Sequence, residues 1–250
     1  MKVVGIIQAR ISSSRLPGKV LMPLAGTPVL RRVIDRLRTA RTIDDVVVAT
    51  STGNDDDAIE AACLEWGIRC IRGPLDDVLT RTCMAIRETA ATTVVRIPAD
   101  KPFLDPAGID ALVTAHLNAG ADYSTNMGPG WPGDASCAFG VEAEVASAAA
   151  LLRAEKAPCT PSDREHVMPY LARATNGFVV LRVPAVNPFD PLWPRLNLDT
   201  AEDYSVISEI YDALATPDGT PIPLEQVRSF LMTRPEIVAR NETIEQRGAT

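Results

Sequence analysis

Between residues 3 and 120, short apolar runs alternate with amphipathic stretches, a rhythm that few folds accommodate. Val3 to Ala9 has the length and composition of a strand buried on both faces. Pro28 then opens a stretch whose apolar residues Leu30, Val33, Ile34 and Leu37 recur at helical spacing. Asp45 to Thr50 reads as a second buried strand, and Asp55 to Trp66 as a helix with an acidic first turn, closed by Gly67. The pattern repeats with a strand at 68–71, a helix from about Asp76 to Ala90, a strand at Thr93–Pro98 and a helix from Pro106 to Gly120. Strands separated by helices cannot pair as hairpins. They predict an α/β chain with a mostly parallel sheet covered on both faces.

After Tyr123 the rhythm breaks. Met127 to Asp134 reads as a loop and contains Gly128, Gly130 and Gly133 at the spacing of a dinucleotide fingerprint. No strand leads into it, no helix leaves it, and Pro129 and Pro132 oppose the required turn, so the match is rejected. A helix at about Ala143 to Ala157, another at Asp163 to Ala174 and a strand at Phe178 to Val183 are expected next. Pro184, Pro188, Pro191 and Pro194 then stiffen an extended segment. Arg195 to Leu198 reads as a last short strand, followed by a helix from Thr200 or Ala201. The expected organisation is a principal domain over 1–215, with an irregular acceptor or dimer region at about 123–190, and a Pro-rich linker with a helical extension over 216–250.

Net charge of −7 argues against general nucleic-acid binding. No stretch approaches the roughly 18 apolar residues of a membrane span. The opening apolar run is too short for a signal peptide, and the five cysteines are scattered without a C-x-x-C pair. A cytoplasmic chain with reduced thiols is the expectation. Against the acidic total, residues 1–34 hold Lys2, Arg10, Arg15, Lys19, Arg31 and Arg32 and no carboxylate, which points to a local anion site.

The segment from Ala9 to Lys19 (ARISSSRLPGK) gives that site a form. It follows a buried strand directly and so lies at the carboxyl edge of the sheet, where open α/β sheets bind ligands. Small hydroxyl residues let backbone N–H groups approach an anion, while Arg10, Arg15 and Lys19 supply fixed positive charge suited to a triphosphate. It is not a Walker A loop: the first Gly is missing and Val20 replaces the metal-binding Ser or Thr. Attack on the α-phosphorus of a nucleotide needs positioning and charge neutralisation, with oxygen ligands for magnesium at strand ends facing the loop. Asp100 and Asp199 each follow a predicted strand; a helix cap is the alternative reading of Asp199.

Ser13, Arg15 and Lys19, then Leu24-Ala25-Gly26-Thr27-Pro28, resemble the nucleotidyltransferases of the three-layer α/β/α, GT-A-like, Rossmann-like fold that handle nucleotide-diphospho-sugars. The chain is most similar to the CMP-sugar synthetase branch, and within it to the spore-coat polysaccharide type. Arg72-Gly73 with Asp76 to Arg81, Arg96 to Asp100, Gly140 to Val145, Asp163 to Val167 and Leu198 to Asp203 continue the match over nearly the whole chain. The resemblance implies a Mg²⁺-dependent cytidylyltransferase that moves CMP from CTP to an acidic sugar-type acceptor and releases pyrophosphate. It implies nucleotide contacts from Ala9, Arg10, Ser13, Arg15, Lys19, Arg72 and Gly73, catalytic Arg15, Lys19, Asp100 and Asp199, the last two holding the metal, and a homodimer. Asp76 and Asp77 are read as charge at a helix start instead.

On the acceptor side, Arg164 suits an anionic group and His166 a hydroxyl proton, with Glu142, Glu144 and Glu165 as further candidates. His116 reads as a surface residue. Lys101, Phe103, Glu142 and Ala146 depart from the related sequences and are expected near the acceptor pocket. A small phosphonate is an alternative acceptor. Other readings are a glycosyltransferase, whose D-x-D motif is met only formally by Asp55-Asp56-Asp57, and a non-catalytic nucleotide-binding module.

Overall fold

The computed structural model describes residues 1–127, 138–186 and 195–244. The glycine-rich loop with Gly128, Gly130 and Gly133, the segment with Pro188, Pro191 and Pro194, and Cys137 lie outside the described residues.

β1 (Val3–Gln8), β4 (Asp45–Ser51), β5 (Arg69–Gly73) and β6 (Thr93–Pro98) pair in parallel in the order β5-β4-β1-β6. β2 (Pro23–Leu24) and β3 (Thr27–Pro28) form a small separate hairpin. Beyond β6 the sheet continues as β8 (Glu144–Ser147), β7 (Tyr123–Thr125) and β9 (Val180–Arg182), and of its seven strands only β8 runs antiparallel to its neighbours. The two faces are sorted residue by residue. Val3 and Ile7 point into one core with Val46, Val48, Val95 and Ile97, while Val4 and Ile6 point into the other with Val47 and Val94. This alternation is the period of a strand buried on both sides. α1 (Val29–Leu37), α2 (Asp57–Glu65), α4 (Pro106–Ala119) and α8 (Ala201–Leu214) cover the first face. α3 (Val78–Thr89), α5 (Ala148–Glu155) and the short α7 (Pro169–Ala172) cover the second. The three-layer α/β/α architecture is the one expected.

Local departures from the expected elements have physical causes. Residues 143–147, rich in alanine, read as helix; instead Glu144 to Ser147 fill a buried slot between β6 and β7, and the helix begins at Ala148 behind the Ser147 cap. The predicted helix at 163–174 is cut in two, α6 (Pro161–His166) and α7, because Val167 takes φ 70°, ψ −62° and Pro169 cannot donate to a continuing turn. Holding a β-branched residue there costs about 1–3 kcal/mol. Residues 195–198 join no ladder and bend at Asn197; they hang between Phe139 and Asp100 through Leu196 N–H and Leu198 N–H, at 2.8 and 2.9 Å. His116 is no surface residue: it is 2% exposed, its Nδ1 sits 2.8 Å from the Ser124 hydroxyl, and burial holds its pKa below the ordinary histidine value. Phe103 and Ala146 are wholly buried, Phe103 packing on Tyr211 with ring centroids 4.9 Å apart, so these two belong to the core rather than to an acceptor pocket. Residues 216–244 extend the first core: Ile222, Leu224, Val227 from α9 (Leu224–Met232) and Ile237 from α10 (Pro235–Val238) are all buried in it.

Candidate active site

The chain runs from β1 outward to β4 and β5, then returns to the other flank of β1 as β6. Such a reversal leaves a crevice beyond the carboxyl ends of the strands. Gln8 pairs with Pro98, so the loop leaving β1 and the turn leaving β6 start side by side. A cleft of about 720 Å³ opens there, within the range of small-molecule sites. One wall is the loop Ala9 to Lys19. Glu142, Glu144, Glu165, His166 and Arg182 also line the cleft.

The loop is shaped by two devices. Asp56, 2% exposed, accepts the Ile11 N–H at 2.7 Å and the Ser51 N–H at 3.1 Å, which clamps the loop's first turn onto the end of β4. Burial works against that carboxylate, yet the Ser51 hydroxyl and the amides outweigh it and lower its pKa. Gly18 takes φ 74° and donates to Ile11 O at 2.9 Å, turning the chain into the short helical turn that carries Lys19. The formal D-x-D candidate is thereby accounted for: its middle aspartate braces the loop from beneath, and Asp57 pairs with Arg72.

Lys19 is the hub. Its Nζ donates to Asp100 Oδ2 at 2.6 Å, Asp199 Oδ1 at 2.9 Å and Leu198 O at 2.7 Å. Burial opposes the ammonium, but the Asp100 and Asp199 carboxylates outweigh it and hold its pKa above the ordinary lysine value. Asp199 also meets Arg15 at 3.0 Å and Arg195 at 3.2 Å, and these cations with Lys19 keep its pKa low despite burial. Thr200 and Asp203 form a capping box for α8, so Asp199 sits just ahead of a helix start without being its cap. The two aspartates, 99 residues apart in sequence by subtraction of their numbers, share one ammonium.

Of the other predicted residues, Ala9, Arg10, Ser13, Glu142, Glu144, Glu165 and His166 line the same cleft. Arg10 reaches across it to Glu165 at 3.2 Å. Arg72, Gly73 and Arg164 do not line it. The Arg72 guanidinium is engaged by Asp57, Glu60, Ser51 O and Gly53 O, and Arg164 is held by Asp77 at 2.7 Å and Glu155 O at 3.1 Å. Asp77 caps α3 by accepting the Thr80 N–H at 2.9 Å.

Several cleft residues escaped the sequence reading. Arg96 donates to Gln8 Oε1 at 2.9 Å and to Glu144 Oε2 at 2.7 Å, while Tyr123 OH donates to Glu144 Oε1 at 2.8 Å. The available signal was a charged residue inside an apolar strand, which needs partners or a ligand. Lys101 and Glu142 form a buried pair at 2.9 Å, so two of the unusual residues are one compensated unit. Arg81 is 2% exposed, lines the cleft, has no partner for its Nε, and burial pushes its pKa down to about 10.

The donor set suits a hard divalent cation. Asp100 Oδ1 and Asn197 Oδ1 are buried without a hydrogen-bond partner, and both residues line the cleft with Asp199. Among the described residues no group of three His, Cys, Asp or Glu side chains could enclose an ion. A cation here needs oxygens from a bound substrate, as magnesium does in phosphate sites.

A model of the cytidylyltransferase family matches residues 4–237. The spore coat polysaccharide biosynthesis protein SpsF of Bacillus subtilis is 30% identical over 246 residues, covering 96% of this chain and 98% of that one. A 3-deoxy-manno-octulosonate cytidylyltransferase of Anaeromyxobacter dehalogenans is 32% identical over 241 residues, 92% and 97% of the two chains. Among solved structures, a cytidylyltransferase of Leptospira borgpetersenii superposes with a TM-score of 0.85 at 27% identity, covering 98% of this chain and 100% of that one. A CMP:2-keto-3-deoxy-manno-octonic acid synthetase complexed with CTP shares the fold, with a TM-score of 0.64 at 16% identity over 85% and 99% of the chains.

Proposed function

Because the chain belongs to the cytidylyltransferase family, we propose that it transfers CMP from CTP to the hydroxyl of an acidic sugar-type acceptor with release of pyrophosphate. The observation that carries this reading is the convergence of Arg15, Lys19, Asp100 and Asp199 at the carboxyl edge of the sheet. In the reaction the acceptor oxygen bonds to the α-phosphorus, the bond from that phosphorus to the bridging oxygen of the β-phosphate breaks to release pyrophosphate, and the hydroxyl proton passes to water or a side chain of the cleft. Arg10, Arg15 and Lys19 face the cleft from the loop and neutralise the phosphates. Asp100 and Asp199 are the proposed holders of Mg²⁺, which when bound offsets triphosphate charge that three basic side chains leave uncompensated. His166 and Glu165 line the same cleft as the loop, and they are the proposed groups that orient an attacking hydroxyl and its proton. Arg96 and Lys101 are paired with Glu144 and Glu142 and add no net charge, so the acidic acceptor is inferred from the 3-deoxy-manno-octulosonate cytidylyltransferase that the chain resembles, with Arg182 in the cleft suited to an anionic group.

The test is pyrophosphate release from CTP, UTP or ATP with a panel of acidic and neutral sugars. Release confined to CTP with a sugar acid, and lost in Asp100→Ala, is expected. No release with any acidic acceptor, together with undiminished CTP binding by Asp100→Ala, would instead favour a non-catalytic nucleotide-binding module.

A further inference from the structure

Asn197 is 6% exposed and lines the cleft, yet its amide oxygen accepts no hydrogen bond. A buried acceptor without a donor costs about 1–3 kcal/mol, and such a group in a folded protein calls for an explanation such as an ion. Its position narrows the choice. Leu196 and Leu198 are fully buried in the hydrophobic core, so the intervening Asn197 and the following Asp199 present their side chains to the cleft. The same segment is fastened to Asp100, whose carbonyl accepts the Leu198 N–H at 2.9 Å. Asp100 contributes the second unpartnered oxygen, Oδ1.

We propose that Asn197 supplies a third, neutral oxygen to the divalent-cation site of Asp100 and Asp199. This rests on the metal role given to those aspartates above. Charge favours an amide over a third carboxylate. The hub already balances Asp100, Asp199 and Asp203 against Lys19, Arg15 and Arg195, and an amide dipole adds ligand capacity without another buried charge to desolvate.

Mn²⁺ binding to the full chain, followed by electron paramagnetic resonance of the free ion in the presence of α,β-methylene-CTP, tests this directly. Asn197→Ala is expected to weaken Mn²⁺ about 10-fold while leaving the melting temperature no lower than the parent's and the metal-free affinity for the analogue within error. Asn197→Leu, which keeps the side-chain volume but has no oxygen, is expected to lose Mn²⁺ affinity to the same extent. A packing role predicts parent Mn²⁺ affinity in Asn197→Leu. If Asn197→Ala does not fold, Asn197→Leu decides: weaker Mn²⁺ supports the proposal and unchanged Mn²⁺ affinity overturns it. Unchanged Mn²⁺ affinity in Asn197→Ala with loss in Asp100→Ala overturns the role of Asn197 alone. Unchanged affinity in both variants overturns the underlying metal site as well. A raised acceptor KM in Asn197→Ala with unchanged Mn²⁺ affinity also overturns it, and assigns the amide to the acceptor hydroxyl.

Discussion

Lys19 stands between two aspartates that sequence distance keeps apart, and its removal should expose what it balances. The side chains of Lys19 and Asp199 are 10% and 9% exposed, so Lys19→Met leaves buried carboxylates facing each other. Removing one partner of a buried pair costs about 3–5 kcal/mol, and the expected melting temperature falls accordingly. Millimolar Mg²⁺ should restore part of that loss, and more than it adds to the parent. No such recovery in thermal melts would argue against a cation at the paired aspartates. His116 makes a pH prediction. Its pKa is lowered by burial beside Ser124, so the unfolded chain binds a proton that the folded chain refuses. Stability should therefore be full above the unfolded value near 6.5 and decline as pH falls towards the lower folded value. His116→Gln should flatten melting temperature against pH between 7 and 5, whereas the contributions of Asp56 and Asp163, whose pKa values are lowered, vanish only below about 4.

At the scale of elements, the site depends on pieces that carry no obvious chemistry. Asp56→Ala frees the Ile11 N–H and unclamps the phosphate loop; stability should drop by about 1–3 kcal/mol, and steady-state kinetics should show KM for CTP rising more than kcat falls. Gly140, at φ 98°, packs so that an added Cβ would lie 2.5 Å from the Leu196 backbone carbon. Gly140→Ala should cost at least about 2 kcal/mol in denaturant melts, and it should also displace the 195–199 segment that presents Asp199. Periodicity made β1, β4, β6 and their helices legible, because strands buried on both faces leave continuous apolar runs. The antiparallel β8 was not legible: Ala143, Ala146 and Ala148 to Ala150 favour helix locally, and only pairing with both β6 and β7 overrides that preference. Likewise Arg164 suited an anionic ligand by residue type, but a cation beside Asp77 spends its donors locally, which spacing alone does not reveal.

For the whole molecule, the C-terminal residues are tied to the site. Arg36 donates to Leu104 O and to Ile222 O, joining α1, the turn before α4 and the final segment. Asn241 is fully buried and donates to Arg195 O and Asp203 Oδ1, both at 2.9 Å, and Arg195 in turn holds Asp199. The half of the site that was readable in advance came from motifs on consecutive residues. The half that was not, with Arg81, Arg96, Asn197 and the Lys101–Glu142 pair, exists only once β1, β6 and the 195–199 segment are assembled. In the proposed function this assembly grips CTP by its triphosphate between the opening loop and the paired aspartates. Crystals soaked with CTP and Mn²⁺ decide it: an anomalous peak in contact with Asp100 and Asp199, with phosphate oxygens facing Arg15 and Lys19, is the predicted result. A triphosphate seated elsewhere, or manganese away from both aspartates, would contradict it.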